Sequence, residues 1–178
     1  YIGVRDKTGR NVSEYEVVPP KHVKPFTEIL RKEGYYCANN FKCDYQFNAP
    51  FTAWDEVSST VSFRDAPKDR PFFYVWNTLL THESRIWDRS NQPLTVMPED
   101  VIIPSYFPDI PEVRNDIARK YSNIEAMDEK VGVIVSQLEE DGLLENTIIM
   151  FWSDHGGNLL RQKRAVGNSG LNVPLIIR

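Results

Sequence analysis

Apolar positions along the chain recur with two different periods. Val23, Phe26, Ile29 and Leu30 stand three and four apart, which predicts a short amphipathic helix over residues 23–33. Gly34 occupies the place of a left-handed cap that would end it. Residues 35–39 then read as a strand, and residues 48–70, with Pro50, Pro67 and mixed charge, as irregular chain. Pro71 opens a run, 72–77, that is apolar on both faces, the pattern of a strand buried in a parallel sheet. A proline-punctuated stretch from Thr81 to Pro108 predicts a long loop of the kind that often carries function. A long helix follows from Pro111. Asp109 and Glu112 form an Asp-x-x-Glu capping box, and Pro111 suits the first turn. Val113, Ile117, Tyr121, Ile124, Met127, Val131, Ile134 and Leu138 make one apolar stripe, assigned to the core, and Gly142 ends the helix. Two further buried strands are predicted, over residues 147–152 and 173–177. Helix alternating with buried strand means an α/β fold, with a largely parallel sheet and helices on both faces.

Composition narrows this picture only a little. The 178 residues suit one ordinary domain, and the stretch before Pro19-Pro20 is polar, a loop or extended arm. Lys+Arg 21 against Asp+Glu 25 gives a net charge of −4 without a basic block, so neither a nucleic-acid surface nor an anionic membrane surface is expected. No apolar run approaches the roughly 18 residues of a membrane span. Cys37 and Cys43 fit no zinc spacing and read as two free thiols. Asn11-Val12-Ser13 is a glycosylation triplet of a kind that chance also produces.

The candidate chemistry follows the strands. Lys42 and Asp44 come after the first, His82, Glu83 and Arg85 after the second. Asp154-His155-Gly156-Gly157, then Arg161, Lys163 and Arg164, come after the third. Ligand sites of open α/β sheets lie beyond the carboxyl ends of the strands, so parallel strands would gather these clusters at one edge. An Asp/His metal pair among fixed cations is suited to a tetrahedral oxyanion. Each group also has a plainer reading. Asp154-His155 is then a capped turn, His82 a structural histidine, and Lys42 and Lys163 solvated lysines. Arg161 to Arg164 becomes an exposed face, and Glu83 with Arg85 a local ion pair rather than a substrate contact. Trp54, Trp87 and Tyr106 suit either sugar stacking or burial.

Taken in order, these segments resemble the sulfatase family of the alkaline-phosphatase-like superfamily. The resemblance is carried by Trp152-Ser153-Asp154-His155-Gly156-Gly157, by Arg161-Gln162-Lys163-Arg164, and by Val173-Pro174-Leu175-Ile176-Ile177-Arg178. Tyr121 to Asp128 with Val131-Gly132, Asp141 to Thr147, Gly34-Tyr35-Tyr36 before Lys42-Cys43-Asp44-Tyr45, and Pro71-Phe72-Phe73 before Thr81-His82-Glu83 extend it over nearly the whole chain. The resemblance implies an incomplete alkaline-phosphatase-like fold, with residues 1–178 as part of a catalytic domain. It implies that Asp154 and His155 complete a divalent-metal site, usually calcium, and that Lys163 and His82 contact the sulfate. Lys42 becomes a further active-site lysine, while Asp44 stands where many relatives carry histidine. Glu83, Arg85 and Arg161 remain candidate substrate contacts from their placement after the strands. An imidazole is a soft ligand for calcium, which leaves magnesium, manganese or zinc open.

The family's nucleophile is a formylglycine made from Cys or Ser in a C/S-x-P/A-x-R motif. Neither Cys37 nor Cys43 fits that motif, and the paired aspartates that supply the rest of the metal site are not among these residues. The expectation is therefore the middle of a larger sulfatase, with nucleophile and half the metal site upstream, and these residues alone inert. The implied substrate is a small-molecule or glycan sulfate ester, and the implied compartment secreted, periplasmic or lysosomal. A phosphatase or phosphodiesterase of the same superfamily, and a non-catalytic domain that binds sulfated glycans, are the alternatives.

Overall fold

The computed structural model describes residues 18–43, 45, 47 and 49–178. The polar arm expected before Pro19, the Asn11 triplet and Asp44 lie outside the described residues. The chain forms two units, one ending at Asn77 and one running from Thr78 to Arg178.

Among its described residues, the first unit is a three-stranded parallel sheet with one α-helix. Helix α1, Phe26–Lys32, starts three residues later than the apolar spacing predicts. Pro25 sets that limit, because the residue before a proline is pushed out of helical geometry. Gly34, at φ +92, ends α1 as expected. Its N–H donates to the Arg31 carbonyl and that of Tyr35 to Leu30, a Schellman closure that satisfies two terminal carbonyls. Strand β1, Tyr36–Asn40, is buried at all five residues and lies between β2, Glu56–Ser58, and β3, Phe72–Val75. Ala38 is opposite Glu56 on one side and Tyr74 on the other. Tyr36 and Ala38 pack with Val61, Phe72 and Tyr74. Cys37 points the other way, with its thiol against the Thr27 carbonyl of α1. Burial pushes that thiol up to about 11, so it is protonated and inert at neutral pH. Neither Cys37 nor Cys43 is in a disulfide among the described residues, as expected.

Two elements of this unit differ from the sequence expectation. Strand β2 and a 3-10 turn, Phe63–Asp65, lie within the stretch read as irregular. Apolar alternation does not mark β2; backbone pairing with β1 makes it a strand. The apolar side of α1 is not its buried side either. Thr27 faces β1, whereas Val23, Phe26 and Ile29 are each more than half exposed.

In the second unit, the long helix α3 runs Pro111–Glu140 with Pro111 in its first turn. Gly142, at φ +67, closes it by the same Schellman pattern, with Leu143 N–H donating to the Leu138 carbonyl. The expected capping box is absent: Ile110 is the N-cap, and Asp109 instead pairs with Arg114 at 2.5 and 2.8 Å. The buried face of α3 also corrects the apolar-stripe reading. Tyr121 and Ile124 are exposed, while Ile117, Ala118, Arg119, Ser122 and Asn123 are buried. The reason is the proline-punctuated segment packed on this face. Its backbone groups need partners once covered, and α3 supplies them. Arg119 donates to the carbonyls of Ser90, Gln92 and Pro93, and Ser122 Oγ accepts from the N–H groups of Thr95 and Val96. Asn123 donates to the Arg85 carbonyl and accepts from Arg89 Nε. Val101 joins Ile117 and Ala118 in the apolar part of the contact. The segment read wholly as loop contains a short helix, α2, Arg85–Asp88.

Strands β4, Met150–Trp152, and β5, Leu175–Ile177, are antiparallel and form a two-stranded sheet. Both were expected to be buried and parallel. Met150, Trp152, Leu175, Ile176 and Ile177 are instead each more than half exposed. Between them the chain folds back through residues 153–174 and the short helix α4, Asn168–Leu171, with no crossover helix of the sort a parallel pair needs. No helix among the described residues is long and apolar enough to cross a membrane.

Candidate functional site

The strand-end clusters fall into both units. In the first, β1 and β3 are parallel and their carboxyl ends do come together, as the sequence reading required. Asn77 Nδ2, just past β3, donates to the Asn40 carbonyl at 3.0 Å and to Asn39 Oδ1 at 3.2 Å. Asn39 is wholly buried. Its amide donates to the Lys42 carbonyl (3.0 Å) and Cys43 Sγ (2.9 Å), and its oxygen also accepts from the Tyr45 hydroxyl. The four bonds use the full capacity of the side chain and fix the turn that carries Lys42. Replacing Asn39 with Ala strands several buried polar groups at once, so a loss of about 2–4 kcal/mol is expected. Thermal or denaturant unfolding of the full-length protein measures it. Trp54 belongs to this unit's packing, stacked with Tyr45 and Phe73 at ring distances of 6.2 Å, which favours the burial reading.

In the second unit the segment after β4 is tightly folded. Ser153 Oγ donates to the His155 carbonyl, Gly156 N–H to the Gly170 carbonyl, and Lys163 N–H to the Gly157 carbonyl. The two glycines were expected to allow a close approach, and the chain approaches itself. A Cβ on Gly156 would lie 2.1 Å from the Ser169 carbonyl oxygen, and one on Gly157 would lie 2.1 Å from Gln162 Oε1. Gln162 Oε1 accepts from Lys120 of α3 at 3.1 Å, and burial pushes the Lys120 ammonium below its ordinary range. The turn is thereby seated on the long helix.

The loop that bears His82 meets this turn through Glu83. Arg164 donates two parallel bonds to the Glu83 carboxylate, Nη1 to Oε2 at 3.0 Å and Nη2 to Oε1 at 2.9 Å. Lys163 Nζ lies 3.4 Å from the same Oε1. The Arg164 hydrogen bonds, then the Lys163 charge, hold the Glu83 carboxyl down to about 2 against the opposing effect of burial, so it is ionised at any working pH. Asn158 adds a second link by donating to the Thr81 carbonyl at 3.4 Å. Glu83 and Arg85 do not pair with each other. Arg85 binds Asp88 at 3.1 Å and the Leu79 carbonyl instead, so the expected Glu83–Arg85 ion pair is not formed. Arg161, in left-handed backbone at φ +62, sits 5.5 Å above the Tyr106 ring. Trp87 is exposed on α2.

His82 and His155 are set in opposite tautomers by their backbone contacts. His155 Nδ1 lies 2.7 Å from the Gly156 carbonyl, which can only accept, so Nδ1 carries the proton and Nε2 keeps its lone pair. That is the form in which imidazole ligates a metal. Its Nε2 is 3.6 Å from Asp154 Oδ2, so one carboxylate and one imidazole face a common point. No group of three or more His, Cys, Asp or Glu gathers for a metal among the described residues, and the pair offers two ligands at most. His82 Nδ1 accepts instead, from the Ser84 N–H at 3.3 Å. Its neutral ring then carries the proton on Nε2 and acts as a donor toward an oxyanion.

Sequence reasoning missed the arginine that holds Glu83, the four-bond role of Asn39, and the seating of Gln162 on Lys120. Of these only Arg164 carried a signal, as part of the basic cluster after β4.

The sequence is similar to those of known proteins. The family model described as Sulfatase matches residues 7–178. An ulvan-active sulfatase of Formosa agariphila is 41% identical over 204 residues, covering 95% of this chain and 34% of that protein. A second ulvan-active sulfatase of the same organism is 28% identical over 179 residues, covering 86% of the chain and 35% of its own length. Human N-sulphoglucosamine sulphohydrolase is 36% identical over 64 residues, 36% of the chain and 13% of that protein. The chain spans about a third of the length of the two Formosa relatives. The family match begins ahead of α1 and runs through β5, taking in the parallel sheet, the Glu83 contact and the Asp154-His155 turn, and on that extent the chain belongs to the sulfatase family.

Proposed function

We propose that these residues supply the anion-binding side and half of the metal site of an enzyme that hydrolyses sulfate esters or N-sulfate on a carbohydrate or aryl substrate. The observation that carries this reading is the pairing of opposite histidine tautomers with a cation cluster in one unit. His82 has its donor on Nε2, His155 has its lone pair there, and Lys163 stands beside a carboxylate already engaged by Arg164. Sulfate-ester cleavage keeps negative charge on the sulfuryl oxygens and develops more on the leaving oxygen. Lys163 meets the sulfuryl oxygens, and His82 Nε2–H donates toward the leaving oxygen and protonates it as it departs. Asp154 and His155 would hold a divalent cation, which when bound supplies Lewis-acid polarisation of the sulfuryl group. Lys42, just past β1 in the first unit, is an active-site lysine by family resemblance alone. The formylglycine that attacks sulfur is assigned to a part of the protein outside these residues.

Two of the relatives are named for activity on ulvan and one for an N-sulphated glucosamine, which favours a sulfated glycan as substrate. With it goes an exported, periplasmic or lysosomal location. The test is release of inorganic sulfate from sulfated polysaccharides by the full-length protein, expressed with formylglycine maturation. Sulfate release that EDTA abolishes and a divalent cation restores is expected. Binding of the polysaccharide with no sulfate released would make this a non-catalytic glycan-binding domain instead.

A further inference from the structure

Glu83 follows His82 directly, and Arg164 follows Lys163. We propose that Arg164 and Glu83 form a charge-partitioning clamp, in which Arg164 takes both oxygens of the Glu83 carboxylate and so keeps it from neutralising the Lys163 ammonium. The inference rests on the reading of Lys163 as the sulfate contact, and it makes Glu83 a positioning residue rather than the substrate contact its sequence position suggests.

The geometry separates the two cations. A guanidinium matches a carboxylate edge with two parallel N–H bonds, which an ammonium cannot do. Arg164 makes that match at 2.9 and 3.0 Å. Lys163 is left with the longer 3.4 Å contact to an oxygen already occupied. Exposure divides them in the same sense: the Arg164 side chain is 63% exposed and that of Lys163 19%. The outer cation is thus committed to Glu83, and the inner one is tethered but not consumed. One carboxylate between two cations leaves a net single positive charge at Lys163. The backbone is shaped for this, since consecutive side chains ordinarily diverge. Arg164 sits in left-handed backbone at φ +69, uncommon for a residue with a Cβ, and from there it reaches the carboxylate that Lys163 also touches.

If Arg164 is lost, Glu83 is free to close on Lys163 and pair with it one to one. In the full-length protein Arg164→Ala should lower kcat/KM by about 10- to 100-fold, mostly through KM. Removing the competing charge as well, in the double variant Glu83→Gln/Arg164→Ala, should recover at least about fivefold over Arg164→Ala alone. Arg164→Lys, which cannot grip both oxygens, should fall between wild type and Arg164→Ala. A second loss stacked on the first would overturn the clamp, because a substrate contact at Glu83 or a purely structural staple cannot be rescued by its own removal. Should Arg164→Ala fold poorly, Glu83→Gln/Arg164→Lys against Arg164→Lys poses the same question, and failure to recover there likewise overturns it. A wild-type protein that releases no sulfate would strike the functional reading itself. Active wild type without recovery strikes only the clamp.

Discussion

Lys163→Ala in the full-length protein should lower kcat/KM for a sulfate ester by about a hundred- to a thousand-fold, the usual cost of losing one charged or hydrogen-bonding group aimed at a developing oxyanion. The fold should be nearly indifferent to the change. The Lys163–Glu83 contact is 3.4 Å long, and Glu83 keeps both of its bonds to Arg164. An ion pair of that kind is worth about 0–1 kcal/mol. Steady-state kinetics with a parallel melting curve separates the two effects. A large activity loss at an unchanged melting temperature is the expected combination. Unchanged kinetics would return Lys163 to the plainer reading of a solvated lysine.

Gly156→Ala should damage both stability and activity. The added methyl would stand 2.1 Å from the Ser169 carbonyl oxygen and 2.7 Å from Gly170 Cα, both main-chain atoms that cannot rotate aside. The turn must shift, and the bond from Gly156 N–H to the Gly170 carbonyl shifts with it. Overpacking of this sort costs about 1–3 kcal/mol. Asp154 and His155 immediately precede the glycine, and a displacement on the order of 1 Å at such groups can cost about 10²-fold in rate. Gly132→Ala is the matched control. It lies within α3, where a Cβ meets nothing within 4 Å, and should stabilise by about 0.5–1 kcal/mol. Equal tolerance of both substitutions would show that close packing does not hold the Asp154-His155 turn.

Features that depend on local chemistry were legible in the sequence. Gly34 and Gly142 both close helices in left-handed backbone, Pro111 opens α3, and β1 and β3 are parallel neighbours. The readings that failed depend on what lies opposite in space. The stripe through Tyr121 and Ile124 has helical spacing, yet the loop backbone selected the polar side of α3, where Arg119, Ser122 and Asn123 complete its hydrogen bonds. Periodicity reports which side is apolar, not which side has unsatisfied neighbours. The apolar run at β4 identified a strand, but its direction was set by the fold-back through residues 153–174.

The candidate site divides along the same line. Asp154, His155, His82 and Lys163 could be marked because each follows a strand-like run. The partner of Glu83 could not, because Arg164 is 81 positions away and nothing near Glu83 announces it. Arg85, two residues on, offered a nearer but incorrect partner and is occupied by Asp88. Histidine tautomers are likewise invisible in sequence, since a single backbone contact decides each one.

The most direct measurement is a paired turnover assay of the full-length, formylglycine-matured protein on an aryl sulfate and the aryl phosphate with the same leaving group. The account predicts release of sulfate at a rate at least about a hundredfold above phosphate, corresponding to about 2.7 kcal/mol of discrimination. Faster release of phosphate would contradict it and make this chain part of a phosphatase or phosphodiesterase of the same superfamily.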